Sequence, residues 1–443
     1  MAKRTLKLAL VGGGMFGRNV VLRSLADVER CGITPYLGTA GLDHHARELA
    51  DVQYKIVAVG ERYEHLAHGL VDDCRGWAPG SDPLPYWGET PWIELLDEQK
   101  PDVLFVATPD SLHTPPILAA IERGVHVVSE KPLALLLDQA KTIAEKSRQA
   151  GSVVAVDMHK RYDSFLRSAF VDVVPQLGEL VYGRAVLEEP LEVSTQIFKW
   201  AATSNPFSYV GVHWTDLFAY YLGVRPVSLH AVGQKKLLAN WRDDNHPAGI
   251  DTFDSMQVNV QYDNGMSVQY VNAWINPADF EGNVNQELEI IGTRGRVFVD
   301  QQDRGMRSAI TGSGTRTHNP HFQAEVPRPV GRSEPDNRGG KGEPERPRSR
   351  PLQTACIGYC KDSLIAGLDA ASRVALRLTD RASLAGTYPD AETAISCVAI
   401  LDAAAKVAAA NHACLAAGRG APVTAHFDAQ TFRLVDPLTS RKP

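Results

Sequence analysis

Six cysteines (Cys31, Cys74, Cys356, Cys360, Cys397 and Cys414) spread over 443 residues are too few and too scattered for a disulfide framework, so a packed core has to supply the stability. Cys356 and Cys360 are spaced to share a face if that stretch is helical, but no histidine or acidic ligand pattern stands beside them. No metal site is expected. An excess of one charge is lacking too. A net charge of −6 with 22% charged residues leaves no basic footprint for nucleic acid or for an anionic membrane surface. No run of residues approaches the ~18 apolar positions of a membrane span. The opening Met-Ala-Lys-Arg-Thr-Leu-Lys leads into an apolar strand without the features of a signal peptide, so a cytoplasmic enzyme is the expectation. The length exceeds what one core usually supports, which predicts two domains.

Two motifs carry chemistry. Residues 8–17, Leu-Ala-Leu-Val-Gly-Gly-Gly-Met-Phe-Gly, are an apolar strand running into a G-x-G-x-x-G turn. In such a turn Gly12 permits the tight bend, Gly14 lets the backbone approach a pyrophosphate, and Gly17 lets the next helix close on the strand. The residues from Met15 onward have helical spacing, so free N–H groups at the helix start face the phosphates. A second apolar strand, around Lys55 to Glu61, puts Glu61 at its tip as acceptor for the adenosine ribose hydroxyls. The spacing to Gly17 is longer than usual, and residues 31–53, rich in Gly, Pro and His, read as an insertion. Glu61 favours NAD because a carboxylate repels a 2′-phosphate. The adjacent Arg62 is the residue that would suit NADP, the less favoured cofactor.

The other motif is His126-Val-Val-Ser-Glu130-Lys131-Pro132, a strand that delivers a lysine at its carboxyl end. Strand and helix alternate throughout the first third: Val103 to Thr108-Pro109, a helix from Pro115, the strand to Ser129, a helix near 135–149, and the strand Ser152 to Val156. This order predicts a doubly wound parallel sheet with ligands at the carboxyl ends of its strands, where Thr108, Pro109, Glu130 and Lys131 sit. After about residue 158 the period changes to two. Segments near 181–188, 227–233, 255–262, 266–275, 286–292 and 296–300 read as antiparallel strands, with Asp263-Asn264-Gly265 as a hairpin turn. The expected fold is α/β: a Rossmann domain over 1–157 and an α+β domain with a large, mostly antiparallel open sheet over 158–443. Residues 331–350 carry no aliphatic side chain and read as a flexible loop. A long helix is predicted from about Asp390 to Ala417, ended by Gly418.

With Asp157-Met-His-Lys-Arg161-Tyr-Asp, Gly211-Val-His213-Trp-Thr-Asp216-Leu and Ile291-Gly-Thr-Arg-Gly295 added, the pattern resembles the glucose-fructose oxidoreductase and inositol dehydrogenase family (Gfo/Idh/MocA) across most of the chain. The resemblance implies an NAD(P)-dependent homodimer or homotetramer acting on sugars or cyclitols. It implies that Lys131 lies against substrate and nicotinamide, and that His213 is the acid/base. Met15, Phe16, Thr108, Pro109, His113 and Glu130 are the further expected cofactor contacts. Independently of the family, oxidising an alcohol needs a base for the hydroxyl proton as hydride leaves, which a lysine or histidine can provide.

The family commonly has Asp-x-Gly-x-His, whereas this chain has Tyr209-Val-Gly211-Val-His213. Tyr209 is therefore expected either as a catalytic phenol or as a wall, and Asp216 as a possible orienter of His213. Lys160, Arg161, Lys199, Trp200, Asn205 and Trp214 are the expected substrate-binding residues, their cations and aromatic faces suiting a polyhydroxylated ring. The leading functional expectation is oxidation of a secondary hydroxyl on a sugar, sugar derivative or cyclitol. Two alternatives stand beside it: an NAD-dependent glycosidase working by transient oxidation, and a catalytically silent dinucleotide-binding regulator.

Overall fold

The computed structural model describes residues 4–277, 284–301, 306–310, 314–318, 321–329 and 352–435. The loop expected over 331–350 lies outside the described residues. Strands β1 (Arg4–Val11), β2 (Val52–Glu61), β3 (Leu84–Trp87), β4 (Val103–Val106), β5 (His126–Ser129) and β6 (Val154–Val156) form one parallel sheet in the order β3-β2-β1-β4-β5-β6. β4, an unbroken apolar run, and β5 are buried throughout, as expected for strands covered on both faces. The chain reverses direction across the sheet between β1 and β4, so a crevice opens at the carboxyl ends of those two strands. The segment read as an insertion before β2 folds into short helical turns, Thr34–Leu37 and Ala46–Leu49 among them.

β7 (Leu180–Pro190), β8 (Pro226–Gln234), β9 (Ser255–Tyr262), β10 (Ser267–Asn276), β11 (Asn285–Gly292) and β12 (Gly295–Asp300) join the short strand Thr424–His426 in a second sheet, ordered β12-β11-β7-β10-β9-β8 and then that strand. Its ladders are antiparallel except between β7 and β10. The turn at Asp263-Asn264-Gly265 joins β9 to β10, as its sequence requires. Helices Val212–Leu222 and Ala391–Ala416 pack against each other, and the latter lies on β8. Tyr182, Gln257, Asn259 and Gln269 on the sheet are exposed.

Asp390 caps the long helix by accepting from the Thr393 N–H at 2.8 Å. By length and mean hydropathy Ala391–Ala416 is apolar enough to cross a membrane, although it holds no unbroken run of ~18 apolar residues. Asp402 and Lys406 break the apolar run without lowering its mean enough, and Val398, Ile400, Leu401 and Val407 are buried in the protein core.

Ala9, Leu104 and Val127 of the first sheet share one buried cluster with Trp214, Leu217, Tyr270 and Ile400 of the second half, so the two halves are continuous through their cores. The helix Tyr359–Ala375 comes from late in the chain but packs on β4, β5 and β6. Cys356 and Cys360 do not share a helix face as their spacing suggested. Cys356 ends up in the strand Leu352–Ile357, Gly358 breaks the backbone at φ +126°, and Cys360 opens the helix.

Candidate active site

The glycine turn shows three different demands. Gly12 has φ +96°, and a Cβ there would meet the Ala107 carbonyl carbon at 2.4 Å. A Cβ at Gly17 would meet the Gly12 carbonyl oxygen at 2.2 Å. A Cβ at Gly14 would meet nothing within 4 Å, so the fold demands glycine at positions 12 and 17 and leaves the side of Gly14 open. Met15 is half-exposed beside this opening, and the Phe16 ring stacks 5.8 Å from His159. Glu61 closes the turn, accepting from the Gly13 N–H at 2.5 Å and the Arg62 N–H at 2.7 Å. The Arg62 guanidinium turns to Glu89 at 2.8 Å on the exposed surface, away from its expected place at the ribose.

At the end of β4 the Thr108 hydroxyl is buried without a partner and Pro109 is half-buried. His113 was expected at the cofactor. Instead its buried ring lies between two backbone carbonyls, Pro132 O at 2.6 Å from Nδ1 and Thr108 O at 2.8 Å from Nε2, so it braces β4 against the loop after β5. Glu130 turns inward to Asp157. Burial and that second carboxyl raise its pKa well above the usual range.

Lys131 is buried, and its Nζ donates to the Tyr209 carbonyl oxygen at 2.7 Å while lying 3.6 Å from the centroid of the Tyr209 ring. Burial lowers its pKa, opposed by Asp110, Glu130 and Glu189. Tyr209 thus meets the lysine through its ring face and carbonyl rather than through its hydroxyl. Burial together with Glu189, Asp110 and Glu130 raises the phenol well above 10, which makes it a poor base at neutral pH and favours its role as a wall. Phe198, Trp200 and Trp274 continue the wall, with ring centroids 4.6, 5.6 and 6.0 Å from that of Tyr209.

His213 is buried 4.4 Å from His159, ring to ring, with its Nδ1 unpartnered. Burial, reinforced by His159, Lys131 and Lys160, holds it neutral, far below the ordinary histidine range. Asp216, weighed as its orienter, is taken by another partner: Arg161 donates through Nε and Nη2 to its two oxygens at 2.7 and 2.6 Å. That buried pair also withdraws Arg161 from substrate binding.

Three further expected substrate residues are committed elsewhere. Lys160 is buried, donating to Gln286 and to Gln301 at 2.9 Å. Asn205 folds both amide atoms onto Ser208. Trp214, on the helix Val212–Leu222, is fully buried with the Lys160 Nζ 5.1 Å from its ring centroid. Trp200 is half-buried and Lys199 exposed. Several residues at the site carry no motif of their own. Asp110, Glu189 and Trp274 are of this kind, and they meet Asp157 and His159 of the Asp157-Met-His159 motif only in space; Asp110 and Glu189 each lie at or just past a strand end, the one signal by which sequence could have found them.

Residues 6–158 match the family described as "Oxidoreductase family, NAD-binding Rossmann fold", and residues 175–298 match the "GFO/IDH/MocA C-terminal domain". The chain belongs to the GFO/IDH/MocA family. Among its relatives, scyllo-inositol 2-dehydrogenase (NAD(+)) of Bacillus subtilis (strain 168) is 23% identical over 61% of this chain and 73% of its own length. D-glucoside 3-dehydrogenase of Escherichia coli (strain K12) is 30% identical over 39% of this chain and 51% of its own length. The solved myo-inositol 2-dehydrogenase of Lactobacillus plantarum superposes with TM-score 0.61 at 17% identity, covering 92% of this chain and 98% of that one. GenD2 from gentamicin A biosynthesis, solved in complex with NAD, gives 0.59 at 20% identity over 92% and 95%. This family member is an NAD-dependent oxidoreductase. The open side of Gly14, the carboxylate of Glu61 at the tip of β2 and the unpartnered Thr108 hydroxyl fit that cofactor.

Proposed function

We propose that the protein oxidises a secondary hydroxyl of a sugar or cyclitol, with Lys131 and His213 at the reacting carbon. The observation that carries this reading is the position of Lys131: a buried ammonium at the mouth of the cofactor crevice, backed by the aromatic wall of Tyr209, Phe198, Trp200 and Trp274. Flat aromatic faces suit the C–H faces of a sugar ring, and the ammonium suits its oxygens. NAD, when bound, accepts hydride from the carbon that bears the hydroxyl. Lys131 donates to the substrate oxygen, and neutral His213 offers a second hydrogen bond to it. The names of the two relatives, a cyclitol and a glucoside dehydrogenase, support the substrate class. A homodimer or homotetramer and a cytoplasmic location belong to the same proposal, and light scattering and cell fractionation check them.

The test is a panel of inositols, alkyl glucosides and aryl glycosides incubated with NAD, following NADH absorbance and released aglycone together. Net NADH growth on a polyol or glucoside is the expected result. Aglycone release without NADH would replace this reading with the redox-assisted glycosidase, and NAD binding with neither product would replace it with the silent regulator.

A further inference from the structure

Of the groups expected to carry the hydroxyl proton, two are poorly matched to it and the third, Lys131, is already engaged. His213 is held neutral far below its ordinary range, the Tyr209 phenol far above its own, and the Lys131 ammonium is already a donor, to the Tyr209 carbonyl. A base is most effective when its pKa lies near the working pH.

Glu189 stands at the carboxyl end of β7, where Pro190 ends the strand. Its Oε2 accepts from the Trp274 indole N–H at 2.9 Å, which orients the carboxyl and leaves Oε1 over. Trp274 lies against Tyr209, and Tyr209 carries Lys131 on its ring face, so carboxylate, indole, phenol ring and ammonium form one continuous cluster. Glu189 and Lys131 attract each other, but neither a hydrogen bond nor an ion pair joins them.

We propose that Glu189 is the proton acceptor of the reaction, paired with Lys131 across the substrate oxygen. The O–H bond breaks and its proton passes to Glu189 Oε1. The C–H electron pair leaves as hydride to the nicotinamide, and the carbonyl that forms is held by the Lys131 ammonium. The charge environment suits the task. Burial raises Glu189 to about 7, Lys131 and the Trp274 indole oppose that rise, and Asp110 adds to it. The remaining neighbours are the neutral phenol of Tyr209 and, on the same strand, Glu188, which accepts from Asn285 at 2.9 Å. Protonated below about 7, Glu189 cannot accept, so kcat/KM rises with pH through about 7 and then levels. This inference rests on the proposed function.

The experiment compares wild type with Glu189→Gln and Glu189→Asp on a substrate that the panel identifies, together with NAD affinity and the pH titration of the Trp274 indole resonance, assigned with Trp274→Phe. Glu189→Gln is expected to lower kcat by ~100- to 10,000-fold with NAD affinity unchanged and the acid limb of the profile gone. Glu189→Asp should recover part of the rate and keep the limb. In the wild type the indole resonance should shift with a midpoint near 7, and in Glu189→Gln it should be flat. A Glu189→Gln enzyme within a few-fold of wild type, or one that keeps the limb, overturns the assignment while leaving the oxidoreductase reading intact. A wild type inert on the whole panel overturns the proposed function instead, and the indole titration then decides whether Glu189 is poised near 7: a flat wild-type resonance overturns the assignment.

Discussion

Asp216→Ala tests whether Arg161 belongs to the fold or to the substrate. The guanidinium is 5% exposed and the carboxylate 2%, with two hydrogen bonds of 2.7 and 2.6 Å between them. Burial by itself disfavours the charged guanidinium, and the facing carboxylate more than reverses that. The Arg161 Nη1 is already buried without a partner, so no second acceptor is at hand to take over. Removing one partner of a buried pair costs ~3–5 kcal/mol because the other charge is left uncompensated. Against the ~5–15 kcal/mol of a typical native state this is a large share. At about 2 °C per kcal/mol, the low end for larger domains, the melting temperature should fall by ~6–10 °C. The double variant Arg161→Met/Asp216→Leu should recover more than half of that loss, since both desolvation costs disappear with the pair. Thermal unfolding of the wild type and the two variants followed by far-UV circular dichroism, with KM measured well below the transition, gives the answer. Asp216→Ala within ~1 kcal/mol of wild type, combined with a raised KM, would show that the guanidinium serves the substrate and would refute the structural role.

Gly14→Ala should fold like wild type but bind NAD at least tenfold more weakly, whereas Gly17→Ala, whose Cβ meets the Gly12 carbonyl oxygen, should lose stability first; calorimetric titration and thermal unfolding separate the two. Tyr209→Phe keeps the ring over Lys131 and should leave kcat within about threefold, while Tyr209→Ala removes a cation–π contact of ~1–2 kcal/mol and should lower kcat/KM by roughly tenfold or more, as steady-state kinetics would record. A 2′-phosphate about 5 Å from Glu61 meets ~1–2 kcal/mol of repulsion in water, so NAD should bind ~10-fold more tightly than NADP, and Glu89→Ala, by releasing Arg62, should narrow that gap in fluorescence titrations.

The sites that were legible in the sequence are those governed by local rules. The glycine turn and the longer strands of both sheets follow from residue spacing over a few positions, because backbone conformation and alternate-side burial are set within one element, whereas the short edge strands Leu84–Trp87 and Thr424–His426 carried no such signal. Lys131 was legible for the same reason, as the residue that a buried strand delivers to its own carboxyl end. Arg161 and His113 show the limit. Their residue types promised ligand contacts, yet one is consumed by Asp216, 55 residues away, and the other by two carbonyls of neighbouring segments. A charge or a ring nitrogen announces itself in sequence, but its partner does not.

By itself the sequence determined the family, the parallel sheet with its dinucleotide crevice, and the lysine at its mouth, since each depends on contiguous residues. Only the tertiary structure decided which polar groups remain available for chemistry. It joined β7 to β10 so that Glu189 receives the Trp274 indole 85 residues away, and it laid the Tyr209 ring rather than its hydroxyl against Lys131. Protonation in a buried cluster depends on which charges and how much solvent surround each group, and both are set only when distant segments meet.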